Sequence, residues 1–341
     1  METTHRVHVG DARDLPLADD SVALVVTSPP YPMIEMWDDV FAALDPEIGD
    51  ALEANDGDRA HDRMLSVLDD AWAEVARVLE PGGIAVVNVG DATRTLDRFR
   101  VYDNHARITT AFEALGFDPL PGVLWRKPAN SAAKFMGSGM VPPNAYVTLE
   151  REHLLVFRNG ERREFDPGAQ RRYEAAYFWE ERNRWFSDVW DDLNGERQTL
   201  SDPDLRERSG AFPLELPYRL VNMYSVYGDT VLDPFWGTGT TSLAAAVAGR
   251  SSAGVEHDPA LASAFDDRIE DAPALSRDLA AERLAAHREY VRGSGDDFEY
   301  DAEHYETPVR TSQERRIRFY EVAAVEETDG GWQLTHDPFE G

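Results

Sequence analysis

The sequence predicts an α/β fold built on a mostly parallel sheet with helices on both faces. Three observations carry this expectation. Short apolar runs alternate with segments of helical period along most of the chain. Two of those runs break off into polar loops, Thr27-Ser28-Pro29-Pro30-Tyr31 and Asp233-Pro234-Phe235-Trp236-Gly237-Thr238-Gly239-Thr240-Thr241, as buried parallel strands do when they deliver a functional loop at their carboxyl ends. The 341 residues suffice for one large α/β domain with attachments, or for two modest domains.

Taken in order, the first strand is expected at 6–9, ending in Gly10-Asp11, and the second at 22–26, entering the Pro-Pro loop. Residues 32–65 are polar and loop-rich. Leu65, Leu68, Trp72, Val75 and Leu79 recur at three- and four-residue spacing, which predicts a helix over 65–79 stopped by Pro81-Gly82-Gly83. A strand over 84–89 and a helix over 105–115 capped by Gly116 follow. β-like runs come next at 122–126 and 146–157, separated by a Gly/Pro-rich insert at 128–145. The rhythm lapses over 158–211 and resumes with a helix over 214–224, a strand over 230–232, a helix after Thr240 and a strand over 253–256. A helical tail over 259–291, a linker at 293–297 and a hairpin over 316–336 around Asp329-Gly330-Gly331 complete the chain. There is no internal repeat.

Cysteine is absent, which excludes disulfides, thiolate metal ligands and a thiol nucleophile. No run of 18 apolar residues occurs and the N-terminus is too polar for a signal peptide, so the expected protein is soluble, cytoplasmic and not a membrane partner. The formal charge is −30, and of the 34 basic residues only Lys127 and Lys134 are lysine. An acidic, lysine-poor surface resembles that of salt-in halophiles. At molar salt the Debye length is roughly 3 Å, so distant acidic charges barely repel a phosphate backbone and the net charge does not veto nucleic-acid binding.

The loop from Asp233 follows a strand and opens an Ala-rich helix, and Gly237 and Gly239 let the backbone turn tightly against a ligand. It is not a phosphate-binding P-loop, because no lysine follows the second glycine, and it is not a dinucleotide loop, because Ser242 stands where the third glycine belongs. Glu256 closes the next strand, where doubly wound folds place a carboxylate that accepts from ribose hydroxyls. This loop suits a small adenosine-like cofactor, and the Pro-Pro-Tyr loop suits a planar, amino-bearing base.

Together these loops resemble the amino-methyltransferases of DNA, and their order, Pro-Pro-Tyr first, resembles the circularly permuted beta-type branch of that family. The resemblance covers roughly residues 5–260. It implies a Rossmann-like, S-adenosylmethionine-dependent methyltransferase sheet, circularly permuted, with an inserted target-recognition region and a small C-terminal extension. The cofactor implied is S-adenosyl-L-methionine and no metal is needed. Its ribose would meet Glu256 in Gly254-Val255-Glu256, its adenine amine Asp11, and its methionine end Phe212 and Pro213. Asp233, Pro234, Phe235, Gly237, Gly239, Thr240 and Thr241 would form the cofactor loop. Where the family often has His-Pro-Ala before Phe-Pro, this chain has Ser209-Gly210-Ala211.

The implied chemistry is in-line attack of an aromatic amine on a sulfonium methyl. The amine's lone pair is delocalised, so acceptors aimed at its N–H bonds stabilise the transition state. Ser28 Oγ can accept one such bond and the Pro29 carbonyl another, fixed in direction by Pro30. Tyr31 offers an aromatic face to a base drawn out of the duplex. Adenine-N6 members mostly carry Asp or Asn at the Ser28 position, so serine favours cytosine N4, with adenine N6 as the alternative. RNA or protein-amide methylation shares the Pro-Pro-Tyr logic, and a non-catalytic DNA-binding protein would leave the loop unexplained.

The expected organisation is a catalytic half at 1–157, a target-recognition region at 158–211, a cofactor-binding half at 212–260 and an extension at 261–341. Across 158–186 seven arginines face six acids, a near-neutral stretch in an acidic chain that also holds Tyr173, Tyr177, Phe178, Trp179, Trp185 and Phe186. The expected partner is double-stranded DNA. A cognate restriction endonuclease is a further partner if the enzyme belongs to a restriction system rather than standing alone, and both a monomer and a dimer stay open.

Overall fold

The computed structural model describes residues 1–127, 136–193, 212–263, 265–295 and 297–341. The start of the 128–145 insert, the end of the recognition region and the Ser209–Ala211 departure lie outside the described residues.

Sixteen strands occur among the described residues: β1 (Glu2–Val9), β2 (Val22–Thr27), β3 (Leu79–Val89), β4 (Ala92–Thr95), β5 (Phe99–Tyr102), β6 (Phe117–Arg126), β7 (Met136–Gly137), β8 (Ala145–Tyr146), β9 (Arg151–Asn159), β10 (Val189–Trp190), β11 (Thr230–Asp233), β12 (Ser251–Glu256), β13 (Tyr300–Asp301), β14 (Pro308–Val309), β15 (Tyr320–Thr328) and β16 (Gly331–Pro338). Ten of them form one sheet in the order β10-β6-β9-β3-β2-β11-β12-β1-β16-β15. Its centre, β3-β2-β11-β12-β1, is parallel throughout. The α/β architecture expected from the alternation of strands and helices is therefore present.

β2 explains why the sheet is covered on both sides. Every one of its residues is buried, and Val22 and Val25 enter one core while Leu24 and Val26 enter the other. An uninterrupted apolar run is what a strand sandwiched between two helical layers requires. On one face lie the helices Gly57–Val78 and Asn104–Ala114, with Trp72 and Phe112 fully buried. On the other lie Glu215–Tyr224, Thr240–Val247 and Ala272–Ser294. No helix of the described residues is long and apolar enough to cross a membrane.

Several boundaries differ from expectation, each for a physical reason. The helix expected over 65–79 begins at Gly57, because Asp56 accepts from the Arg59 amide as its N-cap. It ends at Val78, and Pro81-Gly82-Gly83 is absorbed into β3, where the pairing register with β2 shifts. The 146–157 run divides into the short β8 and β9. The 259–291 tail is three helices, Pro259–Ser263, Phe265–Ile269 and Ala272–Ser294. The last of these runs through Gly293 and stops on the left-handed Gly295, so no linker begins at 293.

The C-terminal hairpin of the expected extension joins the main sheet: β16 pairs antiparallel with β1 and lengthens it. The stretch after β9 is likewise not free-standing. Phe178 stacks on His287, Arg283 bridges Glu181 at 2.5 Å, and Glu314 accepts from the Trp179 amide, all across to the C-terminal segment. The arginines of 158–186 are largely engaged within the chain: Arg158 on Asp118, Arg163 on Asp229 and Glu80, Arg171 and Arg172 over Phe165, Arg182 over Phe186, and Arg184 on Asp192.

Candidate active site

The two signature loops leave the carboxyl ends of neighbouring parallel strands, with Leu24 opposite Val231 and Val25 opposite Leu232. They are also tied to each other. Thr27 Oγ1, which opens one loop, donates to Asp233 Oδ1, which opens the other, at 2.6 Å. The Phe235 amide donates to the same oxygen at 3.1 Å, and Thr241 Oγ1 donates to the Val26 carbonyl at 3.2 Å.

Both loops line one cavity of about 920 Å³, between the sheet ends and the segment 34–44. Ser28, Pro29, Pro30 and Tyr31 line one side, and Asp11, Phe212, Asp233, Pro234, Phe235, Gly237, Thr240 and Glu256 line the other. Three of the expected cofactor residues stand behind this wall. Gly239 is left-handed at φ 76° and caps the following helix, and any side chain there would overlap Trp236 and Phe265. Thr241 is buried on Val26, and the Pro213 carbonyl accepts from the Leu216 amide at the next helix start. A glycine needed for packing and one needed for ligand approach look alike in sequence.

Glu256 ties the Gly-rich loop to the end of β12. Its Oε2 accepts from the Gly237 amide and its Oε1 from the Asp258 amide, each at 2.8 Å. Burial raises its carboxyl above the usual value even so. Asp11 is not free: Arg13 grips both its oxygens, at 2.7 to 3.1 Å, and holds its carboxyl below the usual range.

Asp233 is buried, and desolvation lifts its carboxyl from 3.8 to about 6 against the hydrogen bond from Thr27. The folded state therefore holds a proton that the unfolded chain releases between pH about 4 and about 6, so the Asp233 term lowers stability as pH rises through that window. Chemical denaturation across this range should show a smaller loss for Asp233→Asn, by on the order of a few kcal/mol, than for the wild type. Parallel pH dependences would refute the role given to Asp233.

On the other side, Tyr31 is held from behind rather than loose in the cavity. Its hydroxyl donates to Glu152 Oε2 at 2.9 Å, accepts from Asn88 Nδ2 at 2.9 Å and lies 3.1 Å from Ser28 Oγ. Asn88 also donates to Glu152 Oε2 at 2.8 Å, and Lys127 Nζ donates to Oε1 at 2.9 Å. Burial, then the neighbouring Glu152, push the Tyr31 phenol well above 10. The ring packs on the Gly90 backbone, where an added methyl would stand 3.2 Å from Cε2. Asn88 escaped the sequence reading, although an asparagine inside the apolar run Val86-Val87-Asn88-Val89 was a visible signal.

Beyond Gly90, Asp91 receives His105 Nδ1 at 2.8 Å and faces His153 Nε2 at 3.6 Å. Burial opposes the charge, but these two imidazoles hold Asp91 down at about 2. The two rings stack 3° from parallel with centroids 4.1 Å apart. Asp91 thus bridges two stacked imidazoles.

The sequence profile of the N6/N4 DNA methylase family matches residues 22–266, which includes both loops. The chain belongs to the N6/N4 family of DNA methylases. This methylase is 48% identical over 325 residues to the Type II methyltransferase M.MthZI of Methanothermobacter thermautotrophicus, covering 94% of this chain and 91% of that one. It is 46% identical over 282 residues to the Type II methyltransferase M.MjaI of Methanocaldococcus jannaschii, covering 79% and 92%. Among solved structures it resembles TTHA0409 of Thermus thermophilus complexed with S-adenosyl-L-methionine, with a TM-score of 0.61 at 35% identity over 78% of this chain and 93% of that one. The PvuII cytosine-N4-specific methyltransferase shares the fold, with a TM-score of 0.53 at 19% identity over 79% and 92%.

The family uses S-adenosylmethionine, and the cofactor side of the cavity fits it. Gly237 has φ 56° and open space where a side chain would stand, Phe235, Val255 and Leu261 line the cavity as apolar groups, and Glu256 and Asp258 are the acidic groups that would meet hydroxyls and a cationic tail.

Proposed function

We propose that this methylase transfers a methyl group from S-adenosylmethionine to the exocyclic N4 of a flipped-out cytosine in a short duplex DNA site. The observation that carries the reading is the Thr27–Asp233 hydrogen bond at 2.6 Å, which ties the acceptor-bearing loop to the loop proposed for the cofactor at one cavity. When bound, S-adenosylmethionine supplies an electrophilic methyl on a sulfonium. Glu256 and Phe235 hold the adenosine, Ser28 Oγ and the Pro29 carbonyl receive the amine's N–H bonds, and the anchored Tyr31 ring takes the face of the base. Serine rather than Asp or Asn at position 28 favours cytosine. Mass spectrometry of nucleosides from methylated DNA should show N4-methylcytosine, and N6-methyladenine in its place would overturn the base assignment.

Residues 158–211 are assigned to target recognition, with the chain order of β2 before β11 taken as the circular permutation. Since most arginines at 158–186 are engaged within the chain, phosphate contact falls mainly to another stretch. Residues 126–151 carry four basic side chains, among them both lysines, against the single acid Glu150, and Lys127, paired with Glu152, lines the cavity. The similarity to two Type II methyltransferases supports a modification role beside a cognate endonuclease.

The charge of −30 with two lysines supports a halophilic setting. Self-repulsion weakens as salt rises, whereas phosphate contacts weaken too. Melting temperature and activity should both climb from about 0.1 M KCl toward about 1 M, with activity falling later. A protein most stable and most active at the lowest salt would refute this setting and leave the methylase assignment intact.

A further inference from the structure

The hydrogen-bond chain behind Tyr31 has a fixed direction. A carboxylate only accepts, so the Tyr31 proton at 2.9 Å from Glu152 Oε2 must point at Glu152. The same rule turns the Asn88 amide so that nitrogen, not oxygen, faces Glu152, at 2.8 Å. A phenol has one proton, and that proton is committed. At 3.1 Å between Ser28 Oγ and the Tyr31 oxygen, the donor is therefore Ser28. With its own proton turned toward Tyr31, Ser28 presents lone pairs to the cavity it lines. Lys127 Nζ, at 2.9 Å from Glu152 Oε1, holds the far end of the chain.

We propose that Glu152 is a positioning residue acting through Tyr31: it makes Ser28 an acceptor toward the target amine and receives the proton that the amine sheds. The inference rests on the methyltransferase reading above. As the amine nitrogen bonds to the methyl carbon, the carbon–sulfur bond breaks with its electron pair left on sulfur, and the nitrogen becomes cationic. One N–H proton then passes to Ser28 Oγ, the Ser28 proton to Tyr31 and the Tyr31 proton to Glu152. The nitrogen is left neutral with one methyl and one hydrogen, and Glu152 returns its proton to water. The base-facing ring and the relaying hydroxyl of Tyr31 thus have separable roles. A serine unfixed at its hydroxyl could turn its own proton toward the amine, and the alignment would be lost.

Tyr31→Phe keeps the ring and removes the hydroxyl, and Glu152→Gln keeps the shape and removes the proton acceptor. Single-turnover methylation with saturating cofactor and duplex DNA should slow by about 100-fold in each variant, the lower end of the range for a positioned proton-transfer group. The double variant should be no slower than the slower single one, because the two groups act in one chain. Cofactor affinity by calorimetry, DNA affinity by fluorescence anisotropy and melting temperature should stay at wild-type values for Tyr31→Phe. An unslowed Tyr31→Phe in a preparation whose wild type methylates DNA overturns this inference alone. So do losses that multiply in the double variant, or a loss of cofactor affinity that matches the loss of rate. A wild type that methylates no DNA overturns the underlying reading and this one with it.

Discussion

Ser28→Ala is expected to lower single-turnover methylation by about 100- to 1000-fold, the scale for deleting one preorganised hydrogen-bonding group aimed at reacting atoms. The effect is large because the exocyclic amine is a poor nucleophile, and the acceptor works only while the nitrogen becomes tetrahedral. Alanine removes that acceptor and, with it, the hydroxyl that meets Tyr31 at 3.1 Å. It leaves Thr27 on Asp233 and the cofactor wall as they are. Calorimetric titration should therefore give a near-wild-type cofactor affinity beside the collapsed rate. Equal losses of rate and affinity would show that Ser28 holds the cavity together rather than addressing the amine.

Glu256→Ala should produce the opposite pattern. Cofactor affinity is expected to fall by about 100-fold or more, because hydrogen bonds to a charged group are worth about 1.5–3 kcal/mol each and every 1.4 kcal/mol is tenfold. The carboxylate has two tasks. It accepts from the Gly237 and Asp258 amides, at 2.8 Å each, and it lines the cavity where a ribose would lie. Its loss strands two loop amides as well as the cofactor hydroxyls. At saturating cofactor the rate should recover most of its wild-type value, since Ser28 and Tyr31 are held independently of Glu256. Unchanged affinity would remove Glu256 from the cofactor site.

Much of the site was legible because local chemistry carried it. An apolar run with no polar residue, such as Val22 to Val26, has no face to give to solvent and must be central and parallel. The loops that follow β2 and β11, and the acid that ends β12, were readable as functional loops on such strands. Their arrival at one cavity follows from those strands being neighbours. The family profile spans the same loops.

Long-range pairing was not legible. The alternation of β15 and β16 is the same whether the hairpin stands in solvent or, as here, adds to the edge at β1. Gly239 and Thr241 sit in a ligand-binding pattern but face the interior, because the helix that starts at Thr240 turns them toward Phe265 and Val26. Asn88 and Glu152 lie 57 and 121 positions from Tyr31, and no periodicity links residues that far apart. By itself the sequence determined which strands are buried and which loops follow them, since burial pattern and loop composition are local properties. Only the tertiary structure decided how Tyr31 is anchored and which way its proton points, because a hydrogen-bond direction is set by partners that folding alone brings together.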